Sequence, residues 1–134
     1  MFELTAKSTY GIAAMMELAE RHNKEYTQIK DIAEAQKIPR HYLEQLLIIL
    51  KKNGFIRSLR GKEGGYALAR HPGSITLLEI LECLEGSLAI IKEKNSSIVF
   101  FWKEIEILLK NALEITLEEL TMKKTGAKQM IYSI

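Results

Sequence analysis

The chain has 134 residues, of which 47% are hydrophobic and 27% are charged, and its net charge is +2. This composition is typical of one globular domain and excludes a fully disordered chain or a fibrous repeat. The single cysteine excludes an internal disulfide and cannot supply the thiolates of a zinc ribbon or an iron–sulfur site. The longest apolar runs are five residues, against roughly 20 for a membrane span, and the first residues lack the pattern of a secretory signal. We therefore expect a cytoplasmic protein that holds no metal or other cofactor.

The basic residues are concentrated in the middle of the chain. Residues 1–72 contain 12 Lys and Arg against 8 Asp and Glu, a balance of +4, whereas residues 73–134 contain 7 against 9, a balance of −2. Residues 37–70 alone contain 8 basic and 2 acidic residues, a balance of +6. A basic centre indicates an anionic polymer as ligand, although a solvated charged face would give the same count.

The first part of the chain predicts three helices. Apolar residues recur at helical spacing over residues 4–21, which predicts an amphipathic helix. Thr27 is placed to cap a short second helix that ends near residue 36. Pro39 is suited to the first turn of a third helix over residues 40–53. This third helix has a leucine stripe that consists of Leu43, Leu46, Leu47 and Leu50.

A β-hairpin and a fourth helix are predicted next. Residues 55–58 and 66–69 are short extended candidates, and the segment between them contains three glycines that permit the backbone angles of a hairpin tip. The tip is basic because it contains Arg60 and Lys62. Thr76 begins a capping box that starts a helix ending at Gly86.

Residues 87–97 form a polar connector, and Ser96 or Ser97 is expected to cap a long helix that extends to about Ile115. Apolar side chains repeat every seven residues in this helix, which favours pairing with a second copy of the chain over docking on its own helices. These side chains are Ile98, Phe101, Trp102, Ile105, Leu108, Leu109 and Ala112.

A second capping box at Thr116 predicts a short helix to about Met122, followed by a flexible tail over residues 123–134. The predicted fold is therefore mainly α with a small β-hairpin. Residues 1–86 form a winged helix-turn-helix, and residues 98–122 hold the dimerisation helix and the short following helix.

A winged helix-turn-helix predicts an interface with double-stranded DNA. The major groove admits one helix, whose first turns can reach base edges. The candidates on the third helix are Arg40, His41, Tyr42, Glu44 and Gln45. The hairpin tip would place Arg60 and Lys62 at the adjacent minor groove. Further candidates, for contacts to phosphates, are Lys7, Tyr10, Lys51 and Lys52.

Alternative interpretations remain open for several of these residues. Tyr42 could pack beneath the second helix, and Glu44 could pair with a neighbouring Lys or Arg. The whole domain could be a protein-interaction module without DNA affinity, or Cys83 could make it a thiol-based redox sensor. An enzyme is not expected, because the chain has no phosphate-binding loop, metal-ligand spacing or nucleophile motif.

Several motifs in order resemble one family. They are residues 4–11 (Leu-Thr-Ala-Lys-Ser-Thr-Tyr-Gly), 29–33, 42–46 (Tyr-Leu-Glu-Gln-Leu), 58–61 (Ser-Leu-Arg-Gly) and 64–66 (Gly-Gly-Tyr). Together they look like the bacterial dimeric winged-helix regulators that include IscR, NsrR and CymR. The resemblance implies a homodimer crossed through the long helix on a partly palindromic operator. It also implies that Arg60 is the wing arginine and that Tyr42 and Glu44 lie at recognition-helix positions.

The chain departs from this family at two places. The wing turn at residues 61–64 (Gly-Lys-Glu-Gly) is less rich in glycine and proline than in many relatives. Cluster-binding relatives carry three cysteines in the connector after the fourth helix, whereas residues 87–97 contain none and Cys83 precedes the connector. The resemblance therefore implies no iron–sulfur cluster here.

The cluster-free branch of the family, represented by the cysteine-metabolism repressor CymR, is the most similar. Residues 101–102 (Phe-Trp), 116–120 and 131–134 resemble its long helix and tail. This resemblance implies a repressor of cysteine or sulfur metabolism. It also implies complex formation with O-acetylserine sulfhydrylase through a tail that ends in Tyr132, Ser133 and Ile134, against the alternative of an inert end.

Overall fold

The helices and strands were obtained from a computed structural model that describes the backbone of residues 3–133 and the side chains of residues 3–127. Within these residues the chain forms six α-helices, one short 3-10 helix (Pro72–Ser74) and one antiparallel hairpin. The elements in chain order are α1 (Ala6–Glu20), α2 (Ile29–Gln36), α3 (Arg40–Lys52), β1 (Ile56–Leu59), β2 (Gly65–Leu68), α4 (Leu77–Glu85), α5 (Val99–Ala112) and α6 (Leu117–Ser133). The predicted fold class, mainly α with a small hairpin, is confirmed. Every described helix is too short or too polar to cross a bilayer.

Helix α1 is the centre of the core and is clamped to α4. Its N-cap Thr5 accepts a hydrogen bond from the Ser8 amide at 3.3 Å. The hydroxyls of Ser8 and Thr5 both donate to Glu85 at the end of α4, and these hydrogen bonds lower the pKa of the Glu85 carboxyl. Gly11 permits the close approach of the two helices, because a Cβ there would lie 2.5 Å from Leu84 Cδ1. This clamp fixes the first helix against the last helix of the predicted winged domain.

Helices α1, α2 and α3 pack around one apolar cluster. The predicted leucine stripe of α3 is confirmed, since all four leucines are buried. Lys37 has a left-handed backbone conformation and makes the turn from α2 into α3. Burial raises the pKa of Glu17 on α1, but hydrogen bonds from Arg21 and Gln36 outweigh this effect and leave the pKa below its usual value. A charged Glu17 therefore ties α1 to the end of α2.

The hairpin is joined to the start of α2 by backbone pairing. Ile56 pairs with Leu68 in the register, and both side chains are buried. Thr27 exchanges two backbone hydrogen bonds of 2.8 Å with Tyr66, so it forms a third, one-residue strand of the wing. The prediction that Thr27 caps α2 is wrong: the N-cap is Gln28, which makes no side-chain capping bond.

Two predicted threonine caps are confirmed, and they lie side by side. Thr76 and Thr116 each accept a hydrogen bond of 3.1 Å from the backbone amide three residues ahead, and a bridge pairs the two threonines across α4 and α6. Leu117 follows the bridge and is fully buried. The core thus includes the first turn of α6, which the sequence pattern did not indicate.

The ends of α5 and α6 differ from the predictions. Helix α5 begins at Val99 after Ile98, not on a Ser96 or Ser97 cap, because Ser96 Oγ accepts from the Ile98 amide one step before the helix. It also ends three residues short of Ile115. Helix α6 does not end near residue 122 but continues to Ser133, and Lys124 pairs with Glu20 of α1 at 2.9 Å. The segment predicted as a loose tail is therefore helical through residue 133.

Candidate nucleic-acid interface

The surface of α3 that faces away from the leucine stripe is polar and exposed. Arg40 Nε lies 3.9 Å from Glu44 Oε1, and both side chains are more than half exposed. One residue further along, Gln45 Nε2 lies 3.4 Å from His41 Nε2. Exposed pairs of this kind contribute little free energy and exchange partners readily. The four side chains are therefore available to an external ligand, and the neighbour that Glu44 pairs with is Arg40.

Tyr42 has a different environment from its neighbours on α3. It is half-buried, and its ring meets the ring of Tyr10 on α1 edge to face, with centroids 5.7 Å apart and planes at 71°. Such aromatic pairs add packing energy beyond the area they bury. Tyr42 and Tyr10 thus fix the start of α3 against α1, and any contact that they make with DNA is made from this fixed position.

The tip of the wing is a tight, exposed turn. Arg60 and Lys62 are both exposed, and among the described residues neither has an ion-pair partner. Gly64 closes the turn with a hydrogen bond to the Gly61 carbonyl at 3.1 Å. A Cβ at Gly64 would lie 2.1 Å from the Leu59 carbonyl oxygen, so the turn requires glycine there. The two basic side chains extend from a backbone that is fixed in shape.

Two of the three lysines predicted to contact phosphates, Lys7 and Lys51, have hydrogen-bond partners within the domain. Lys51 Nζ, at the end of α3, donates to Ser58 Oγ on β1 at 2.6 Å and so links the third helix to the wing. Lys7 Nζ donates to the Leu84 carbonyl at the end of α4 at 3.4 Å, where a cation is favoured by the helix dipole. Lys52 is exposed beside Lys51. These lysines lie on different elements, and only Lys51 and Lys52 lie near the wing.

Two exposed apolar residues on this surface were not predicted. Ile48 follows Glu44 by one turn of α3 and is 67% exposed, and Leu59 is 50% exposed at the base of the wing turn. Ile48 interrupts the polar face of α3, and this interruption of the helical pattern is the signal that could have identified it. An apolar side chain on a groove-facing helix can contact the methyl group of thymine.

Helix α5 contributes no buried residue, which distinguishes it from the other helices of the domain whose side chains are described. Of the predicted dimerisation residues, Ile98, Phe101, Leu108 and Ala112 are exposed, and Trp102, Ile105 and Leu109 are half-buried. Phe100 and Ile107, which the heptad pattern omitted, are 65% and 58% exposed. At 100° per residue these two lie on the opposite side of the helix from Ile105. Apolar side chains therefore surround α5 on two faces.

The predicted partner-binding tail lies at the limit of the described chain. The backbone of Tyr132 and Ser133 belongs to α6. Their side chains, and all of Ile134, lie outside the described residues.

A basic-tipped hairpin beside a helix with an exposed polar face defines a helix-turn-helix protein of the winged type. The sequence model of the Rrf2 family, described as an iron-dependent transcriptional regulator, matches residues 4–123. The chain therefore belongs to the Rrf2 family of helix-turn-helix transcriptional regulators, and the predicted family is confirmed.

Individual relatives agree with this assignment. The chain is 33% identical over 131 residues to the regulator CymR of Bacillus subtilis, covering 95% of both chains. It is 39% identical over 84 residues to IscR of Xenorhabdus nematophila, which covers 63% of this chain and 51% of that protein. The solved structure of CymR, the global cysteine regulator of B. subtilis, superposes with a TM-score of 0.85 at 34% identity, over 92% of this chain and 98% of that one. The structure of T. potens IscR gives 0.82 at 35% identity, over 94% and 90%. These likenesses confirm the winged-helix fold.

The residues of this chain do not fit an iron–sulfur cluster, despite the description of the family. Cys83 is the only thiol, and the connector at residues 87–97 has none. Burial raises the pKa of the Cys83 thiol, and the charge of Lys7 offsets this only in part. A protonated thiol is a poor metal ligand. Within the described residues, no three His, Cys, Asp or Glu side chains are grouped to hold a metal ion.

Proposed function

We propose that this protein is a sequence-specific DNA-binding repressor that acts as a homodimer on a partly palindromic operator. The observation that carries the proposal is the exposed polar face of α3 beside the exposed Arg60 at the wing tip. The surrounding segment, residues 37–70, has a charge balance of +6. Membership of a family of transcriptional regulators supports this use of the surface.

In this proposal α3 enters the major groove. Arg40 exchanges its weak pairing with Glu44 for two hydrogen bonds to a guanine. Gln45 has the donor and acceptor that adenine requires, and Glu44 accepts from the amino group of cytosine. Ile48 lies one turn further along and contacts a thymine methyl. The leucine stripe on the opposite side holds this face at a fixed angle to the domain.

The wing reaches the neighbouring minor groove. A guanidinium at the tip of a rigid turn is suited to a narrow, A·T-rich groove, where the negative potential is strongest. Arg60 is the residue placed for this contact, and Lys62 lies next to it. Lys51 joins the two reading elements through Ser58, so that helix and wing bind as one unit.

Two copies are held together through α5. Exposed Phe100, Phe101, Ile107 and Leu108 give this helix far more apolar surface than an isolated chain of this size usually leaves in water. Because the apolar side chains lie on two faces, a partner must enclose α5 instead of meeting it along one seam. A dimer with crossed α5 helices meets this requirement when each α5 also packs on the domain of its partner, and it presents two wings with two-fold symmetry.

The regulated process is the supply of cysteine or sulfur. CymR of B. subtilis is the global cysteine regulator of that organism, and the likeness extends over 95% of each chain. We further propose that residues Tyr132, Ser133 and Ile134 bind O-acetylserine sulfhydrylase, as their resemblance to the tail of the CymR branch implies. Removing residues 132–134 is expected to abolish co-elution with that enzyme. Retained co-elution would exclude this contact and leave the DNA-binding proposal intact.

A gel-shift assay tests the main proposal. The probe is duplex DNA from upstream of the gene that encodes the protein, at roughly 50 mM salt, with a shuffled duplex of equal length as control. Retardation of the natural duplex at lower protein concentration than the shuffled one is expected. The absence of retardation with both duplexes would contradict the proposal and favour a protein-interaction module.

A further inference from the structure

A second basic site lies on the wing, away from α3. A cavity of about 290 Å³ opens beside β1 and β2. Among its described lining residues are five that carry positive charge or an imidazole, and none that carries a carboxylate: His22, Lys24, Arg57, Arg70 and His71. Ala67 and Ala69 also line it, and their small side chains leave room for a ligand.

The strand alternation separates this cavity from the DNA-reading surface. Successive side chains of a strand point to opposite faces. Ser58 faces α3, because it accepts the hydrogen bond from Lys51. Arg57, the preceding residue, therefore points to the other face of the hairpin. The proposed DNA contacts of α3 leave this cationic cavity without a role.

The cations of the cavity differ in how far they are neutralised. Arg70 donates to Glu79 at 2.9 Å, so its charge is balanced within the domain. Within the described part of the chain, Lys24 and Arg57 have no ion-pair partner. The Arg57 guanidinium lies 5.6 Å from the centre of the Tyr26 ring, a cation–π contact that restrains the side chain. The cavity thus has two uncompensated charges, one of them held in place.

The two imidazoles add hydrogen-bonding groups of defined tautomer. His71 Nδ1 accepts from the Gly73 amide at 2.9 Å, so Nε2 carries the hydrogen of the neutral ring and is a donor. His22 Nδ1 donates to the Ala19 carbonyl at 2.8 Å, so Nε2 of the neutral ring is a hydrogen-bond acceptor. The two ring centres are 5.8 Å apart. His71 can therefore donate to a phosphate oxygen, and His22 can accept from the hydroxyl group of a hydrogen phosphate.

We propose that this cavity binds a small phosphate-type oxyanion, held by Lys24 and Arg57 with an N–H donor from His71 and an acceptor nitrogen from His22. The size favours inorganic phosphate or a small phosphate ester over a nucleotide. His71 Nε2 lies 3.8 Å from Glu118 Oε2 in the first turn of α6. The anion competes with this carboxylate for His71, and its binding therefore connects the wing with α6.

Titration of the full chain with inorganic phosphate tests the site, at constant ionic strength maintained with sodium chloride. The chain has only three histidines, so the ring signals in a ¹H–¹³C NMR spectrum can be followed one by one. Saturable shifts are expected for His22 and His71 and not for His41 on α3. Shifts that do not saturate, or that are largest for His41, would overturn the assignment.

The phosphate affinities of variants inside and outside the cavity show where the anion binds. R57Q and K24Q are each expected to weaken phosphate binding about tenfold, since each removes a charge-assisted hydrogen bond. K30Q changes an exposed lysine outside the cavity and is expected to bind phosphate like the parent. Equal affinity of R57Q and the parent would overturn the proposal. All three substituted residues are exposed, and circular dichroism is used to check that each variant is folded.

A second experiment, which measures DNA binding, tests whether the cavity holds a free anion or a phosphate of the DNA backbone. In chloride buffer, R57Q is expected to bind operator DNA within twofold of the parent. A loss as large as that of R60A would mean that the cavity holds a backbone phosphate and would overturn the small-anion assignment. The phosphate titration contains no DNA, so its result does not depend on whether the protein is a regulator.

Discussion

Gln28 donates a hydrogen bond from its side-chain amide to the carbonyl oxygen of Lys62, with a distance of 3.2 Å between the two atoms. It joins the residue before α2 to the tip of the wing. The wing is thus held at two points by the same short segment, because the neighbouring Thr27 pairs with Tyr66 on β2. The position of the basic tip relative to α3 depends on both contacts.

Loss of the Gln28 contact is expected to reduce DNA affinity without unfolding the domain. Gln28→Ala removes one exposed hydrogen bond, worth about 1 kcal/mol, and leaves the wing turn less fixed. We expect DNA binding, measured by fluorescence anisotropy, to weaken by about threefold to tenfold. Asn23→Ala, a nearby exposed polar residue for which no side-chain hydrogen bond is found in the described structure, serves as control. Equal affinities of the two variants would show that the contact does not position the wing.

Gly65→Ala is expected to destabilise the hairpin, whereas Gly126→Ala is expected to stabilise α6. Gly65 has φ +143°, and a Cβ there would lie 2.3 Å from the Thr27 carbonyl oxygen. Gly65→Ala should therefore lower the free energy of unfolding by at least roughly 2 kcal/mol. A Cβ at Gly126 meets nothing within 4 Å, and alanine in a helix is favoured by about 1 kcal/mol. Urea unfolding followed by circular dichroism compares the two, and an unchanged midpoint for Gly65→Ala would contradict the close pairing of Thr27 with the wing.

Ile105→Asp is expected to convert the proposed dimer into monomers. A carboxylate on the half-buried face of α5 would lose its hydration in the paired helices, which is costly without a partner charge. Multi-angle light scattering during size-exclusion chromatography measures the mass. Lys30→Asp introduces the same charge at an exposed position on α2, away from α5, and should remain dimeric. A dimer that persists in Ile105→Asp would refute the assignment of this face to the interface.

Cys83 is expected to be unreactive. The reactivity of this thiol distinguishes a repressor without redox control from a thiol-based sensor. Its pKa is raised by burial, so the thiolate that attacks disulfides is scarce at neutral pH. In Ellman's assay at pH 7.5 the folded protein should react more slowly than free cysteine, and its DNA affinity should be the same before and after treatment with diamide. Rapid reaction together with loss of DNA binding would assign a redox role to Cys83.

The elements formed by local signals were predictable from sequence. The leucine stripe of α3, the glycine-rich wing turn and the threonine caps at Thr76 and Thr116 each depend on residues within one or two turns of chain. Arg60 could be proposed as a DNA contact for the same reason, because a basic side chain at a glycine-rich hairpin tip cannot pack in the core.

The features missed depend on contacts between distant parts of the chain. Thr27 has the side chain of a helix cap, but its backbone is paired with Tyr66, 39 residues later. Helix α6 was predicted to end near residue 122 and to be followed by a flexible tail. Its first turn is buried in the core at Leu117, and Lys124, beyond the predicted end, pairs with Glu20 of α1. Ile48 was overlooked because an apolar residue in a helix is more often part of the core.

The salt dependence of DNA binding, compared between the parent protein and Arg60→Ala, tests the central claim most directly. Anisotropy titrations on one operator duplex at several salt concentrations give a log–log slope of about −0.9 for each phosphate contact. We expect a steep negative slope for the parent, and for Arg60→Ala a loss of about 1 to 3 kcal/mol that is larger on the operator than on a shuffled duplex. Binding that is independent of salt, or an Arg60→Ala variant as tight and as selective as the parent, would contradict the account.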